Sequence, residues 1–317
     1  MEQRLAVVVV NWEQARRSLA CLRSVLAAGG PHTIALLVDN GSAESLAELQ
    51  VQLPSVQVVR LQENAGYAAA CNAGAAEAIA RGASHLLFIN NDTTLAPGAL
   101  DALMSASEQH PDAILAPKIV YAANPERVWS AGGAVRRPWM QNSHLGQDER
   151  VGAHSSPRRV DWATGCALFC PAGTFRKVGP FDSGLFLYIE DLDWCLRAAR
   201  LGVEIWFEPA AVILHEVSAS TGGLPEPDIL YYGCRNTYRI AFRHSRGFRR
   251  TAMAISFAWT VGKAGVRNAT SGAHRRDPLY RARTRALVDV VAGRTGPAPS
   301  ELSRSRSMPS VATVQAR

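Results

Sequence analysis

The strongest constraint on the fold is a regular alternation of apolar runs and helical segments near the start of the chain. Leu5–Val10 is a mostly β-branched run, typical of a strand covered on both faces of a sheet. Similar runs follow at 34–38, 56–61 and 85–89. Three segments between them have helical character: Glu13–Ala28, Ser42–Leu53 and Gly66–Arg81. This order predicts an α/β fold with a doubly wound, mostly parallel sheet flanked by helices.

Beyond about residue 115 the pattern is less regular, and loops or short antiparallel strands are expected over 124–160. The later expected elements are a strand at 164–170, a helix at 191–201, extended pieces at 203–209 and 211–215, and helices at 228–243 and 248–266. We predict a catalytic domain over 1–222, with halves of about 1–115 and 116–222. A basic helical extension over 223–292 and a disordered tail over 293–317 follow.

Charge is distributed unevenly along the 317 residues. From Arg235 to the end there are 17 basic and 3 acidic side chains, so a basic C-terminal region follows an acidic body. Such a region favours an anionic partner, either membrane lipid or nucleic acid. There is no run of about twenty uncharged apolar residues and no export signal, so a cytoplasmic location is expected. The six scattered cysteines predict free thiols.

Polar clusters follow the second and third predicted strands. The cluster that begins at Asp39 is consistent with a helix cap or with an acceptor for the base or ribose of a nucleotide. The cluster of Asn64 and Gly66, with Asn72 further along, precedes a helix whose N–H groups could face phosphate, although a turn and N-cap explain it equally well. It is neither a P-loop nor a dinucleotide fingerprint, because the lysine and the glycine spacing are missing.

Two further clusters contain carboxylates. Asp92 follows the apolar strand of residues 85–89, where one aspartate, diphosphate oxygens and a further ligand can hold magnesium or manganese; the alternative is a strand-end turn. His215 follows another apolar stretch and completes such a site only if it faces Asp92. Glu190, Asp191 and Asp193 open a helix, either as a solvated acidic turn or with a general base among them.

Together these motifs resemble the family 2 glycosyltransferases of the GT-A fold, closest to the bacterial branch that contains rhamnosyltransferases. Seven pieces match in order over about residues 5–220: VVVVNW, VDNGS, NAGYAAACNAG, FINNDTTL, ATGCALF, VGPFDSGLFLYIEDLDWCLRAARLG and PAAVILHEVSAS. The metal-binding DxD-type motif of the family reads Asn90-Asn91-Asp92 here, so its first acid is absent and His215 gains importance.

The resemblance implies roles by position. The nucleotide would contact Asn11, Asp39, Asn64, Gly66, Asn72 and Asn91. Asp92 and His215 would bind Mn²⁺ or Mg²⁺, and Asp191 would be the catalytic base. The donor or acceptor pocket would include Gly165, Phe181, Asp182, Glu190 and Trp194. Arg235 and Asn236 match a frequent motif without a defined role.

The implied activity is inverting transfer of a sugar from a nucleotide diphosphate, first dTDP-L-rhamnose, to a saccharide or lipid-linked acceptor in cell-surface polysaccharide synthesis. UDP-linked sugars are the next donors to consider. The alternative is a non-catalytic nucleotide-sugar-binding or membrane scaffold protein on the same fold. The apolar stretch Ala252–Val261, flanked by basic residues, either packs on the catalytic domain or contacts the inner membrane surface as a peripheral helix; no nucleic acid is expected.

Overall fold

The structure is a computed structural model that describes residues 3–137, 139–217 and 226–302, with only the backbone of Arg275. Its first half alternates strands and helices as predicted. The elements are β1 (Leu5–Asn11), α1 (Ala15–Ala28), β2 (Thr33–Asp39), α2 (Ala47–Gln52), β3 (Gln57–Arg60), α3 (Tyr67–Ala80), β4 (His85–Asn90), β5 (Thr93–Leu95) and α4 (Ala99–Gln109).

The second half contains more antiparallel strands. Its elements are β6 (Ile114–Tyr121), β7 (Asn124–Ser130), β8 (Gly133–Arg136), β9 (Gln141–His144), β10 (Arg158–Arg159), β11 (Ala167–Pro171), α5 (Ala172–Val178), α6 (Glu190–Arg200) and β12 (Ile205–His215), with short 3₁₀ turns at Val151–Ala153 and Ser183–Leu185. The region 124–160 therefore forms short strands, one of the two predicted outcomes.

The central sheet has the order β10-β12-β6-β11-β4-β1-β2-β3, with β5 beside β12 and β7 beside β6. Strands β1 to β4 pair in parallel, and β11 runs antiparallel between β4 and β6. Each β1 face is covered: Ala6, Val8 and Val10 pack in one core cluster, and Val7 and Val9 in the other. Burial on both faces explains the continuous apolar run of β1 and confirms the doubly wound arrangement.

Strand β12 corrects one prediction, because the expected pieces 203–209 and 211–215 form a single strand. Its pairing with β6 shifts register between Glu208 and Val212. Pro209 lies in this bulge, and a proline without an N–H is tolerated at such positions. The sequence break therefore marks a bulge inside the strand.

Four helices form the C-terminal extension: α7 (Pro227–His244), α8 (Phe248–Thr270), α9 (Gly272–Arg276) and α10 (Pro278–Val291). Within the described ranges no helix has the length and apolar character needed to cross a bilayer. Residues 293–302, predicted to be disordered, instead pack on the extension. The Ala298 N–H donates to the Tyr232 hydroxyl at 2.6 Å, and Leu302 is buried. The remainder of the predicted tail, 303–317, lies outside the described residues.

The close packing of α3 on the sheet depends on Gly74. A Cβ atom at this position would lie 2.3 Å from Val8 Cγ1 and 2.9 Å from Val38 Cγ2. We therefore expect Gly74→Ala to lower the free energy of unfolding by about 1–3 kcal/mol, since overpacking forces side chains from their rotamers. Urea denaturation measures this change.

The matched control is Gly233→Ala in α7, where an added Cβ would have no described atom within 4 Å apart from its chain neighbours and the backbone of its own helix. Alanine there should leave stability unchanged or raise it by about 0.5–1 kcal/mol, because it is the better helix former. Equal effects of the two substitutions would contradict the packing argument.

Candidate active site

The ends of the parallel strands β1 and β2 form one edge of the candidate site, where Asn11 lies opposite Asp39. Asn11 is fully buried, and its Nδ2 donates to Asp39 Oδ1 (3.4 Å) and Ser42 Oγ (3.1 Å). Ser18 Oγ donates to Asn11 Oδ1 at 2.7 Å and accepts from Asn91 Nδ2 at 3.1 Å. Asn11 thus supports Asp39 from within the protein, and Asn91 contacts the same network.

The buried Asp39 carboxylate organises the turn after β2. Its Oδ1 accepts from the Ser42 N–H at 3.3 Å, which stabilises a turn. The helix-cap interpretation of this cluster is wrong, because α2 begins only at Ala47 and its N-cap residue is Leu46. Its Oδ2 forms an ion pair with Arg60 Nε at 3.0 Å. The Arg60 side chain is 59% exposed and places a cation at this edge of the sheet, which the sequence analysis did not single out.

The turns after β2 and β3 are joined by an amide pair. Asn40 Nδ2 donates to Asn64 Oδ1, and Asn40 Oδ1 accepts from the Ala65 N–H, both at 3.0 Å. Gly66 has φ 87°, and a Cβ atom there would lie 2.5 Å from the Phe186 carbonyl oxygen. Gly66 is therefore required for the close approach of the loop before α6 to the start of α3.

Asn72 connects α3 to the loop before α6. Its Nδ2 donates to the Phe181 carbonyl at 2.9 Å, and its Oδ1 accepts from the Phe181 N–H at 2.8 Å. Both polar groups of the Asn72 amide therefore form hydrogen bonds with the backbone of Phe181. This contact assigns Asn72 a role in fixing the loop, in contrast to the expected position in the nucleotide pocket.

Three residues expected in the sugar pocket have structural contacts. Phe181 packs edge-on against Phe88 with ring centroids 5.2 Å apart, and Trp194 is fully buried and donates from Nε1 to the Gly179 carbonyl at 2.8 Å. The structure thus places Phe181 and Trp194 in the core. Asp182 accepts from the Gly184 N–H and pairs with Arg243 at 2.6 Å.

Strand pairing brings the two expected metal ligands together. His215 ends β12 and pairs with Thr93 of β5, the residue after Asp92. His215 Nε2 lies 3.4 Å from Asp92 Oδ1. Among the described residues, no group donates a hydrogen bond to the buried Asp92 Oδ1. The buried Nδ1 of His215 likewise has no hydrogen-bond partner there.

This pair fits a divalent cation. An oxygen and an imidazole nitrogen face each other, and the orphaned Asp92 Oδ1 would gain a partner on metal binding. No cluster of three or more His, Cys, Asp or Glu side chains suited to a metal occurs among the described residues. Further ligands would therefore have to come from diphosphate or water, as is usual for Mg²⁺ sites.

Asp191 begins α6 and is held by two backbone N–H groups. Gly165 N donates to its Oδ2 at 2.6 Å, and Leu192 N donates to its Oδ1 at 2.7 Å. The Tyr67 hydroxyl donates to the Gly165 carbonyl at 2.7 Å and so stabilises the segment that holds the Asp191 carboxylate. Tyr67 was not among the site residues predicted from the sequence. Asp191 remains partly exposed, which a group that takes a proton from a substrate requires.

Glu190 and Asp191 have different environments. Burial, and then the charge of Asp191, raise the pKa of Glu190 well above its usual range. Burial also raises the pKa of Asp191, although the N–H groups of Gly165 and Leu192 oppose that rise. The two environments therefore favour a proton on Glu190 over a proton on Asp191.

The carboxylates of Asp92 and Asp191 both lie near Cys166, because β11 pairs with β4. The Asn90 N–H donates to the Cys166 carbonyl at 3.0 Å, two residues before Asp92. The neighbour of Cys166 is Gly165, which binds Asp191. The site thus joins Asp92 and His215, which lie at strand ends, to the start of α6.

Aromatic residues behind His215 were missed by the sequence analysis. The Trp129 ring packs edge-on against His215 at 4.6 Å and lies 4.3 Å from the His144 ring. Burial, and then the charge of His215, lower the pKa of His144 to about 4, so His144 is neutral at physiological pH. No local motif signals these contacts, because Trp129 and His144 lie in the irregular region 124–160.

Comparison with known proteins decides the family. The model described as "Glycosyl transferase family 2" matches residues 6–172, more than half of the chain. The chain belongs to this family. The glycosyltransferase is 29% identical over 311 residues to the N-acetylglucosaminyl-diphospho-decaprenol L-rhamnosyltransferase of Mycobacterium tuberculosis, with 92% of this chain and 98% of that protein covered. The predicted resemblance to rhamnosyltransferases is confirmed.

Solved structures confirm the GT-A fold. The glycosyltransferase is similar to GalNAc-T7 crystallised with UDP, GalNAc and Mn²⁺, with a TM-score of 0.57 at 18% identity. This match covers 74% of the chain and 47% of GalNAc-T7. A second match is to residues 1–349 of S. aureus TarS, with a TM-score of 0.54 at 14% identity over 91% of this chain and 81% of that one.

The raised pKa of Asp191 predicts the pH dependence of turnover. The family resemblance implies that Asp191 is the base, and a base must be ionised, so kcat should fall as the pH drops, with a midpoint above the ordinary aspartate value of about 3.9. A profile of log kcat against pH measures this midpoint, and one at or below about 4 would contradict the burial argument.

Isosteric amides separate the roles of the two acids. Asp191→Asn should lower kcat by about 10²-fold or more while donor binding persists, since the proton acceptor and one of the two N–H contacts of this side chain are lost. Glu190→Gln is the matched control and should keep most of the turnover, because the amide resembles a protonated carboxyl. In a non-catalytic scaffold protein, neither substitution would change ligand binding or any other function.

Proposed function

We propose that the glycosyltransferase moves an L-rhamnosyl group from dTDP-L-rhamnose to a lipid-linked saccharide acceptor in cell-surface polysaccharide synthesis. The observation that carries this proposal is the end-to-end similarity to the mycobacterial L-rhamnosyltransferase, which spans 98% of that protein. The family match by itself does not distinguish dTDP-L-rhamnose from UDP-linked sugars, including galactofuranose, as the donor. The arrangement of Asp92, His215 and Asp191 supports the chemistry.

The proposed reaction is an inverting, single-step displacement in which Asp191 takes the proton of the acceptor hydroxyl. The acceptor oxygen forms a bond to the anomeric carbon as the bond from that carbon to the diphosphate oxygen breaks. Gly165 and Leu192 hold the Asp191 carboxylate for this step. Asp92 and His215 would hold a divalent cation, Mn²⁺ or Mg²⁺, which offsets charge on the diphosphate.

We assign the nucleotide to the edge of the sheet formed by the turns after β2 and β3. Asp39, Asn64 and Gly66 lie in these turns, and Asn11 and Asn91 support them from inside. The exposed guanidinium of Arg60 adds a positive charge there for an anionic donor. Gly165 and Glu190 line the start of α6, where the sugar and the acceptor would meet.

Donor binding tests this proposal. Among dTDP-rhamnose, UDP-sugars and GDP-mannose, we expect dTDP-rhamnose to bind most tightly and to need Mn²⁺ or Mg²⁺. Asp92→Ala should weaken that binding by about tenfold or more, since even outer-shell partners of a metal contribute that much. Calorimetry with and without metal gives both values.

The control is Asp101→Ala on the exposed side of α4, which removes an equal charge away from the site. Its donor affinity should match the wild type. Preference for a UDP-sugar would overturn the donor assignment. Metal-independent binding that Asp92→Ala leaves intact would overturn the metal site.

We further propose that α8 holds the enzyme on the anionic inner face of a membrane. Phe248, Ile255, Trp259 and Val266 are spaced by seven, four and seven residues, so at about 100° per residue they fall within an arc of about 40°. Each is between 64% and 86% exposed. Such a stripe is typical of helices that insert their apolar face at a bilayer surface.

The other faces of α8 support this orientation. Phe257 packs against Tyr238 and Phe242 of α7 at 4.8 and 5.5 Å between ring centroids, so the stripe faces away from the protein. Lys263 lies 4.8 Å over the Trp259 ring, beside the stripe. The sequence from Phe248 to Arg276 contains no acidic residue, which favours anionic lipid over a second copy of this basic face.

Vesicle flotation tests this contact. We expect the enzyme to bind vesicles containing phosphatidylglycerol, less so at high salt, and to bind neutral phosphatidylcholine vesicles poorly. Ile255→Glu with Trp259→Glu should weaken binding by at least about tenfold, because two apolar side chains lose their burial. Val51→Glu on α2, where Val51 is 82% exposed, is the control and should bind normally. Equal binding by both variants would contradict the proposal.

A further inference from the structure

The loop that leads into α6 has an unusual backbone. At Phe186, φ is 65° and ψ is −63°, and the Leu187 N–H donates to the Leu185 carbonyl at 2.8 Å. This geometry is a γ-turn of the rare, strained form. Tyr188 and Ile189 also have positive φ, at 62° and 72°. Three non-glycine residues in left-handed conformations within four positions store strain just before Glu190 and Asp191.

Two buried side chains of α7 hold this loop. Asn236 Nδ2 lies 2.9 Å from the carbonyl oxygens of Leu185, Leu187 and Tyr188, and its two hydrogens are shared among them. Arg235 Nη2 donates to the Leu185 carbonyl at 3.0 Å. Its Nε donates to Asn236 Oδ1 at 3.0 Å, which fixes the amide orientation. Both residues are fully buried.

We propose that Arg235 and Asn236 are positioning residues that keep the strained turn 185–189 closed so that Asp191 points into the cleft. This inference rests on the proposed role of Asp191 as the base. Without the donors, three carbonyls would lose partners in the protein interior and the left-handed residues would relax. The start of α6 would then move relative to Gly165, which holds the carboxylate.

A separate anchor allows the effect to be measured in a folded protein. Asp193, the fourth residue of α6, pairs with Arg243 and His244 at the far end of α7. Loss of Asn236 leaves these contacts in place, so α6 should stay docked. The expected defect is therefore local, in the residues that precede Asp193.

The test compares steady-state kinetics and donor binding of Asn236→Ala with those of the wild type. We expect kcat to fall about 10- to 100-fold, because a shift of about 1 Å in a catalytic group has this effect. The donor Kd should stay within about threefold, since the turn meets the proposed nucleotide edge at Gly66, whose N–H is held independently by Asn64 Oδ1 at 3.0 Å. Arg235→Lys, which keeps the charge but lacks the planar fork, should show the same pattern with a smaller loss of kcat.

The control is Asp289→Asn, which weakens the contacts of this α10 side chain with Tyr231, Arg285 and Arg294 but removes no hydrogen bond from Arg235 or Asn236 to the turn. It should lower thermal stability without changing kcat. The proposal is overturned if folded Asn236→Ala or Arg235→Lys turns over at the wild-type rate, or if Asp289→Asn loses kcat equally. Asp191→Asn, measured beside them, reports separately on the base: full activity there would reject the proposed function itself.

Discussion

The catalytic half and the C-terminal extension depend on one buried carboxylate, Asp193. It is fully buried and contacts Arg197 and Arg243, each at 3.0 Å, and His244 at 2.9 Å. Burial alone would raise its pKa, but the His244 hydrogen bond and the two arginine charges lower the pKa to about 2. The resulting stabilisation is complete above the unfolded pKa of about 3.9 and is lost progressively as the pH falls from there through about 2.

Much of the site could be predicted because strand ends are visible in a sequence. The apolar runs located β1, β2 and β4, and parallel strands bring the residues after them to one edge of the sheet. Asp39 and Asp92 were found in this way. The meeting of Asp92 with His215 depends on the pairing of β5 with β12, which periodicity does not show. That prediction came from the family motif.

The residues that sequence reasoning misplaced share a physical cause. Phe181, Trp194 and Asn72 are near the site in the chain, yet their side chains turn into the core or onto backbone groups. A motif identifies a segment but does not say which side of it faces a cleft. Residues 293–302 have the composition of a flexible segment, but the Ala298 N–H donates a hydrogen bond to the hydroxyl of Tyr232, which lies 66 residues earlier in the sequence. Long-range partners of this kind have no local signal.

The point at which the family match ends matters for the construction of chimeras between related enzymes. The family model ends at residue 172, but the carboxylate proposed as the base lies at 191 and its supports extend to α7. A chimera that joins the first 172 residues of one enzyme to the remainder of another would keep α6 with its native α7. A crossover between residues 200 and 235 would instead separate Asp193 from Arg243. Such a chimera would still take Asp92 and His215, and likewise Gly165 and Asp191, from different parents, so both parents must share the backbone geometry at these two contacts.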